Sequence, residues 1–356
     1  MSPIRVRPAE AVGSSPTETS GPGVAGPIHI GGLDRSGKTT IAAFLTSHPN
    51  ISIPDVGSNM WTYFYGRFGD LGQPENLDRC LSSMFRYTHI RYLEPDPERI
   101  RREFCGGPPT YARLFELFLA HHAEREGKPR WGVQTGLIER YADRLFDAYP
   151  GVRVIHMVRD PRDRYEASLS LWPEGKGRSG GATARWRYSV RLAERNLRRH
   201  PDGYMVVRYE DLVSDTERTL RVVCGFLGEV FQQAMLGMPG APQRRDKLIA
   251  RSRETPSDAL LSRAYLGRFR GRVAPRELAF IQLHAGRLMS SYGYEPERLD
   301  LSVGNWARFA ALDWPSQAAR MAAWRSVEAL GQRFPARFGP APDRRTIVDE
   351  PIGVPA

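Results

Sequence analysis

Along the chain, short β-branched apolar runs alternate with longer stretches whose apolar residues recur at helical spacing, the rhythm of strands alternating with amphipathic helices. Pro27-Ile28-His29-Ile30 reads as a short strand. Ile41, Phe44 and Leu45, following Lys38-Thr39-Thr40, give the helix after it. The run from Val152 to Val158, bounded by Tyr149-Pro150-Gly151 and Asp160-Pro161, is mostly apolar and predicts a buried parallel strand, with a helical stretch from there to Leu171. Tyr204-Met205-Val206-Val207 is a third strand, and Leu220, Val223, Cys224 and Leu227 mark the i, i+3, i+4, i+7 stripe of a following helix. Further helices are predicted around Tyr111 to Glu126, from Pro275 to Tyr292, and from Pro315 onward. In the last of these, Met321, Trp324, Val327, Leu330 and Phe334 form a stripe interleaved with Arg320, Arg325 and Arg333, suited to packing on the domain or on a partner subunit. The pattern predicts an α/β fold: a doubly wound parallel sheet flanked by helices, with a helical insertion and a C-terminal helical extension.

Candidate chemistry begins between the first strand and its helix. Gly31-Gly32-Leu33-Asp34-Arg35-Ser36-Gly37-Lys38-Thr39 is a glycine-rich turn opening a helix, where outward-pointing backbone N–H groups attract anions. Gly32, Gly37, Lys38 and Thr39 satisfy G-x-x-x-x-G-K-[ST], the phosphate-binding loop of nucleotidases and kinases. Arg159 follows the second strand and should stand at its C-terminal end, where doubly wound sheets bind ligands and a guanidinium can clamp a phosphate bidentately.

Four ordered blocks resemble the sulfotransferases that use 3′-phosphoadenosine 5′-phosphosulfate (PAPS). The first is Arg35-Ser36-Gly37-x-Thr39, then a helix and Ser47-His48-Pro49-Asn50; Lys38 stands where that family usually has a Thr. The second is the apolar strand ending in Arg159-Asp160-Pro161-Arg162-Asp163. The third is Tyr209-Glu210-Asp211-Leu212 before a helix ending in Phe226-Leu227-Gly228. The fourth is Leu266-Gly267-Arg268-Phe269-Arg270-Gly271-Arg272 ahead of the helix from Pro275. The resemblance covers residues 27 to about 296 and implies a P-loop-like sulfotransferase fold that moves a sulfuryl group from PAPS to a hydroxyl or amine, leaving 3′-phosphoadenosine 5′-phosphate (PAP).

Carried onto this chain, the resemblance places the 5′-phosphosulfate on Arg35, Ser36, Gly37, Lys38, Thr39 and Thr40, with Arg35 nearest the sulfonate. It places the 3′-phosphate on Arg159 and a serine. The family serine comes eight positions after the arginine, where this chain has Ala167, so Ser168 is the candidate if the helix start is shifted. Tyr209 is read at the cofactor or as a core aromatic, and Arg268 and Arg272 as phosphate or adenine contacts or as solvated charges. Arg35 and Lys38 are the catalytic cations. Asp55 is the expected base, from its place after S-H-P-N, although an Asp needs desolvation or a tight hydrogen bond to act near neutrality. His48 is read as ending the first helix ahead of Pro49. Gln134 replaces a lysine of the family's W-G-D-K-T-P, a loss Lys38 could offset.

Two other classes compete. A kinase using Mg-ATP would bind through the same loop and hold Mg²⁺ with a carboxylate at a strand end, Asp160 being the candidate beside an opposing Arg159. A non-catalytic basic nucleotide- or nucleic-acid-binding protein would fit the net charge of +11, but no nucleic-acid-binding signature accompanies the arginines, so no nucleic-acid partner is expected. No metal is expected.

At 356 residues the chain can bury one elaborated domain. Residues 1–26, rich in Pro, Gly, Ser and Thr, read as a disordered lead; 27–298 as the catalytic domain, with 56–130 an aromatic-rich insertion building an acceptor pocket or lid; and 299–356 as the extension. Of Trp61, Tyr63, Phe64, Tyr65 and Phe68 in that insertion, most are expected in the core. Pro173 to Thr183 reads as a mobile basic loop. Three cysteines without metal spacing, and no spanning segment or leader, point to a reducing, cytoplasmic setting. A homo-oligomer and a peripheral membrane contact through the last helix stay open.

Overall fold

The computed structural model describes residues 26–254, 260–349 and 352; the N-terminal lead, apart from Gly26, lies outside the described residues. Five parallel strands form one sheet in the order β2-β3-β1-β4-β5, with β1 Ile28–Gly32, β2 Ile51–Ser52, β3 Arg130–Gln134, β4 Arg153–Val158 and β5 Tyr204–Arg208. In the register, Ile30 faces Gln134 on one side and Ile155 on the other, and Ile155 in turn faces Met205. The chain leaves β1 toward β3 and β2, then returns across it to β4. The C-terminal end of β1 is therefore the switch point at which such sheets open a crevice.

β1, β4 and β5 fall where the apolar runs predict them, because both faces are covered and nearly every position is buried. On one face pack the helices Lys38–Leu45 and Thr216–Leu227, around Ile28, Ile30, Ile155 and Met205. On the other pack Tyr111–Arg125, Ser179–Arg199 and Pro275–Ser291, around Val133, Val154, Trp186 and Ile281. The insertion holds five helices, not one: Met60–Tyr63, Pro74–Phe85, Thr88–Arg91 and Pro97–Cys105 precede Tyr111–Arg125. Trp61 and Phe64 are core residues, as their apolar bulk predicts.

The segment 173–183 holds a short turn at Pro173–Gly175 and the start of the helix Ser179–Arg199, and its backbone is bonded at several points. Tyr165 Oη donates to Gly175 O at 2.9 Å, Gly177 N donates to Glu277 Oε1 at 3.0 Å, and Gln317 both accepts from Gly180 N at 2.9 Å and donates to Gly177 O at 2.6 Å. Gln317 belongs to the C-terminal helix Trp314–Arg333, which lies along Ser179–Arg199. A Cβ at Gly180 would stand 2.1 Å from Gln317 O. Trp324 meets Tyr188 edge-on at 5.6 Å, and Arg140 pairs with Glu328 at 2.8 Å. The far end of the apolar stripe stays uncovered: Val327, Leu330 and Phe334 are exposed. Beyond it the tail returns to the insertion, where Val348 N donates to Arg86 O at 2.9 Å and Arg67 donates to the carbonyls of Gly339 and Pro340.

The ends of β4 and β5 are tied by Glu210, which accepts from Asp160 N at 3.0 Å and from Tyr294 Oη at 2.7 Å. Burial pushes its carboxyl up to about 7. Between the ordinary value of 4.5 and about 7 the folded protein keeps a proton that the unfolded chain has released, so stability falls as pH rises through that window.

Two outcomes follow. Glu210→Gln should flatten the fall in denaturant midpoint that the wild type shows between about pH 4.5 and 7. Gly180→Ala should lower stability by at least about 1 kcal/mol in equilibrium urea unfolding, because the new methyl has only backbone to push against.

Candidate functional site

The loop after β1 is shaped by its glycines. At Gly32, where φ is 107°, a Cβ would lie 2.2 Å from Met157 O, so only glycine lets the end of β1 run this close to β4. At Gly37, with φ 99°, a Cβ would strike the Tyr209 ring at 2.5 Å. Between them the loop folds onto itself: Ser36 Oγ donates to Leu33 O at 2.6 Å, and Lys38 Nζ donates to Gly32 O at 3.0 Å and Leu33 O at 2.8 Å. Asp34 Oδ1 is 3.7 Å from that ammonium, and Lys38 holds the Asp34 carboxyl below its ordinary value. From beneath, Gly32 N donates to Glu139 Oε2 at 3.2 Å. Glu139 is wholly buried and also accepts from Ser189 Oγ, which meets His156 Nε2 at 3.1 Å; His156 Nδ1 meets Tyr204 Oη at 2.7 Å. Burial lowers the His156 pKa, which keeps this imidazole neutral.

Beside the loop lies a cavity of about 270 Å³ lined by Arg35, Gly37, Thr40, Arg159, Tyr209 and Arg268, together with Ser170, Arg244 and Tyr265. Arg159 is 7% exposed. Its terminal nitrogens donate to Arg35 O at 3.2 Å and Tyr265 O at 3.0 Å, its guanidinium lies 4.5 Å over the Tyr209 ring, and its buried Nε has no hydrogen-bond partner. Arg35 donates to Ala167 O at 3.1 Å and Ser170 Oγ at 2.7 Å. Arg244 donates to Thr40 Oγ1 at 3.0 Å. Arg268 stacks over Tyr265 at 5.2 Å and pairs with Glu166 at 3.6 Å. The 266–272 loop is fastened above the helix Pro161–Leu169 by Asp163, whose carboxylate accepts from Gly267 N at 2.6 Å and Phe269 N at 3.0 Å.

Arg35, Gly37, Thr40, Arg159, Tyr209 and Arg268 thus line one cavity, and six candidates stand elsewhere. Ser36 and Lys38 are spent on loop carbonyls. Thr39 donates to Gln134 Oε1 at 3.0 Å, and Gln134 in turn donates to Asp55 O at 2.9 Å. Ser168 turns back onto its own helix, donating to Tyr165 O at 2.7 Å. The serine at the end of this helix that does line the cavity is Ser170, its C-terminal cap residue. Arg272 is largely exposed and reaches Glu166 at 3.2 Å. Asp55 lines a separate cavity of about 130 Å³ with Tyr92, His122 and Glu126. His48 is buried where the first helix ends, its Nε2 3.0 Å from Val230 O.

Sequence reasoning missed Arg244, Tyr265 and Ser170. Arg244 sits in an arginine-rich helix with no motif, and Tyr265 owes its place to the fastening of the next loop by Asp163. Asp160, the carboxylate a kinase reading would give to Mg²⁺, is gripped by Arg162, whose Nε and terminal nitrogen donate to its two oxygens at 3.0 and 2.7 Å. An aromatic-lined cavity of about 690 Å³ holds Trp61, Tyr65, Tyr111 and Tyr149. Tyr149 precedes β4, so this cavity lies at the other end of that strand from Arg159. Among the described residues no helix is long and apolar enough to cross a membrane.

Comparison with known proteins bears on this arrangement. No curated protein sequence matches the chain. The sulfotransferase domain of the Synechococcus PCC 7002 olefin synthase superposes with a TM-score of 0.52 at 21% identity, over 78% of this chain and 95% of that one, a likeness of fold. A sulfotransferase from Mycobacterium avium gives 0.44 at 14% identity, over 78% of this chain and 79% of that one. A retinol dehydratase solved with retinol and PAP gives 0.37 at 14%, over 77% and 83%. The family model described as the sulfotransferase family matches residues 27–233, which span the loop, the Arg159 strand and the Tyr209 block. With more than half its length matched and its five-stranded parallel sheet in place, the chain belongs to the sulfotransferase family.

Proposed function

We propose that the protein transfers a sulfuryl group from PAPS to a hydroxyl or amine of an acceptor, with the donor nucleotide seated in the cavity beside the β1 loop. The observation that carries this reading is Arg159: a buried guanidinium at a strand end, with one N–H unpartnered, facing a cavity that also gathers Arg35, Arg244 and Arg268. Such a cluster suits a ligand with several separate negative groups, and a nucleotide with phosphates at both 3′ and 5′ positions supplies them.

In this reading Arg159 takes the 3′-phosphate, with Ser170 as the nearby hydroxyl. The N–H groups at the start of the helix Lys38–Leu45, with Thr40, take the 5′-phosphate, and Tyr209 and Tyr265 offer ring faces to the base. Arg35 serves the sulfonate; it donates to the Ala167 carbonyl and the Ser170 hydroxyl, neutral acceptors with which an anionic group competes favourably for the guanidinium. During transfer the acceptor oxygen or nitrogen bonds to sulfur while the bond from sulfur to the phosphate oxygen breaks. The acceptor proton leaves, and negative charge grows on the departing PAP. Cations and N–H groups already aimed at that oxygen stabilise it. Lys38, tied to Gly32 O, Leu33 O and Asp34, acts by fixing the loop. Asp55 lies in its own cavity, so the proton-accepting role is not assigned to it.

Calorimetric titration with PAP, and separately with ATP plus Mg²⁺, tests the reading. Metal-independent PAP binding should weaken about 10- to 100-fold in Arg159→Ala, the cost of one or two charge-assisted hydrogen bonds. Preference for Mg-ATP over PAP would replace the reading with phosphoryl transfer. Arg35→Ala should lower the rate of sulfuryl transfer by at least about tenfold while leaving PAP affinity within a few-fold, because PAP lacks the sulfonate.

A further inference from the structure

A further cavity, of about 540 Å³, shares no lining residue with the one that holds Arg159. Thr62, Tyr65 and Tyr141 line it from the insertion and the short helix Ile138–Tyr141, and Gly331, Pro335 and Pro340 from the C-terminal segment. These last residues lie beyond the stretch 27–233 that the family model matches, so part of the wall is built outside the family's common portion. Thr62 Oγ1 donates to Gly136 O at 3.0 Å, and a Cβ at Gly136 would stand 3.6 Å from Asp34 Oδ1. The Thr62 end of the cavity is therefore tied to the β1 loop through the turn after β3.

Its charges do not balance. Arg67, Arg140, Arg144 and Arg333 line it against a single carboxylate, Asp143. That carboxylate is already taken, meeting His200 Nε2 at 2.9 Å and Arg199 Nε at 3.3 Å and pairing with Arg195. Arg140 has Glu328 at 2.8 Å. Arg67 donates only to neutral carbonyls, Gly339 O at 2.9 Å and Pro340 O at 2.6 Å, and burial lowers its pKa. Arg144 lies 4.7 Å over the Tyr65 ring and Arg333 5.6 Å over the Phe334 ring; among the described residues neither makes a hydrogen bond or an ion pair. Three guanidinium groups therefore line one concavity without an anion of the protein to offset them, a field that draws in a negative ligand.

Tyr65 and Arg144 also line the aromatic cavity of about 690 Å³. Tyr65 stacks on Trp61 at 4.8 Å and meets Tyr141 at 5.5 Å, so a wall of rings runs from one cavity into the next. Guanidinium forks suit a carboxylate or phosphate, and ring faces beside them suit a flat apolar body. We infer that the cavity binds an organic anion: a carboxylate or phosphate held by Arg67, Arg144 and Arg333, carried on a ring-bearing body that lies against Tyr65 and Tyr141. Two sources supply such an anion. One is the sulfuryl acceptor, which rests on the sulfotransferase reading above; the other is a ligand that binds here without reacting, which does not.

The probe is 6-hydroxy-2-naphthoate, with 2-naphthol as the match that keeps ring and hydroxyl and lacks the carboxylate. Each is titrated calorimetrically at neutral pH and constant ionic strength into PAP-saturated protein, so that the arginines around Arg159 are occupied. The wild type should bind the naphthoate at least about tenfold more tightly than the naphthol, and Arg144→Gln/Arg333→Gln should remove that difference. Both arginines are exposed, so this variant should unfold at the wild-type midpoint. Arg218→Gln/Arg221→Gln removes the same charge from the helix Thr216–Leu227 on the opposite face of the sheet, and should leave the difference intact. Equal binding of the two probes by the wild type, an unchanged difference in the cavity variant, or an equal loss in both variants overturns the site. If the occupant is the acceptor, PAPS converts the naphthoate's hydroxyl to a sulfate ester, releasing PAP and a proton, and the cavity variant does so more slowly; if it is a ligand that does not react, the naphthoate binds and no ester forms. Failure of the wild type to bind PAP removes the sulfotransferase reading alone, since the same titrations without PAP still compare the two variants.

Discussion

The amide of Gly32 donating to the buried carboxyl of Glu139 fixes the end of β1, and with it everything the crevice can hold. Below that bond, Glu139, Ser189, His156 and Tyr204 form a connected polar set inside the core, and Asn196 donates to the Glu139 carbonyl at 2.8 Å. A buried network of this kind is stable only when its members find partners, and a connected one is stiff because moving one member strands the others. Above the bond, Lys38 reaches back to the carbonyls on either side of the same turn. The loop is thus gripped from both sides before any ligand arrives, which is what preorganised anion binding requires: its N–H groups need not be re-aimed at a bound phosphate.

How much of this was legible follows from how each residue is held. β1, β4 and β5 declare themselves because both faces are buried and their positions are apolar. β3 does not. Its Arg130 is buried yet satisfied, donating to Gly26 O and Leu227 O at 2.7 Å each and to Glu229 at 3.1 Å. Its Gly132 is demanded by close approach, since a Cβ there would stand 2.9 Å from the Ile53 side chain, and its Gln134 bridges Thr39 to Asp55. Each polar position of β3 is explained by a tertiary partner, and tertiary partners are invisible to periodicity. The two-residue β2 has no period to read.

The site divides along the same line. Residues fixed by a local motif, such as Arg35, Gly37 and Arg159, stand where the sequence puts them, because strand end and helix start dictate their positions. Those that reach the cavity from a distance do not announce themselves: Arg244 arrives from a helix far along the chain, and Tyr265 is brought in by a loop that Asp163 fastens. Lys38 is the instructive case. Its spacing satisfies the phosphate-loop pattern, but a side chain following Gly37 can equally fold back on the turn, and here two carbonyls and a carboxylate outbid the cavity for it.

The division of labour among the cations follows from their chemistry. Lysine offers a compact ammonium with rotatable donors, suited to bracing carbonyls within one turn, while arginine presents a planar fork that keeps its charge when buried. The positions facing the crevice, 35, 159, 244 and 268, are all arginine, and the one cation turned inward on the loop is the lysine. The strong net positive charge of the chain is therefore more than a solubility device. Part of it is concentrated at the C-terminal edge of the sheet, where helix starts add their own positive ends. A crevice so charged suits a multiply anionic ligand. The insertion, with its tail strap at Arg67 and Arg86, and the C-terminal helix pinned through Gln317 differ from the loop in being built by tertiary packing rather than by motif, so the sequence specifies the loop and its arginines far more openly than these outer elements.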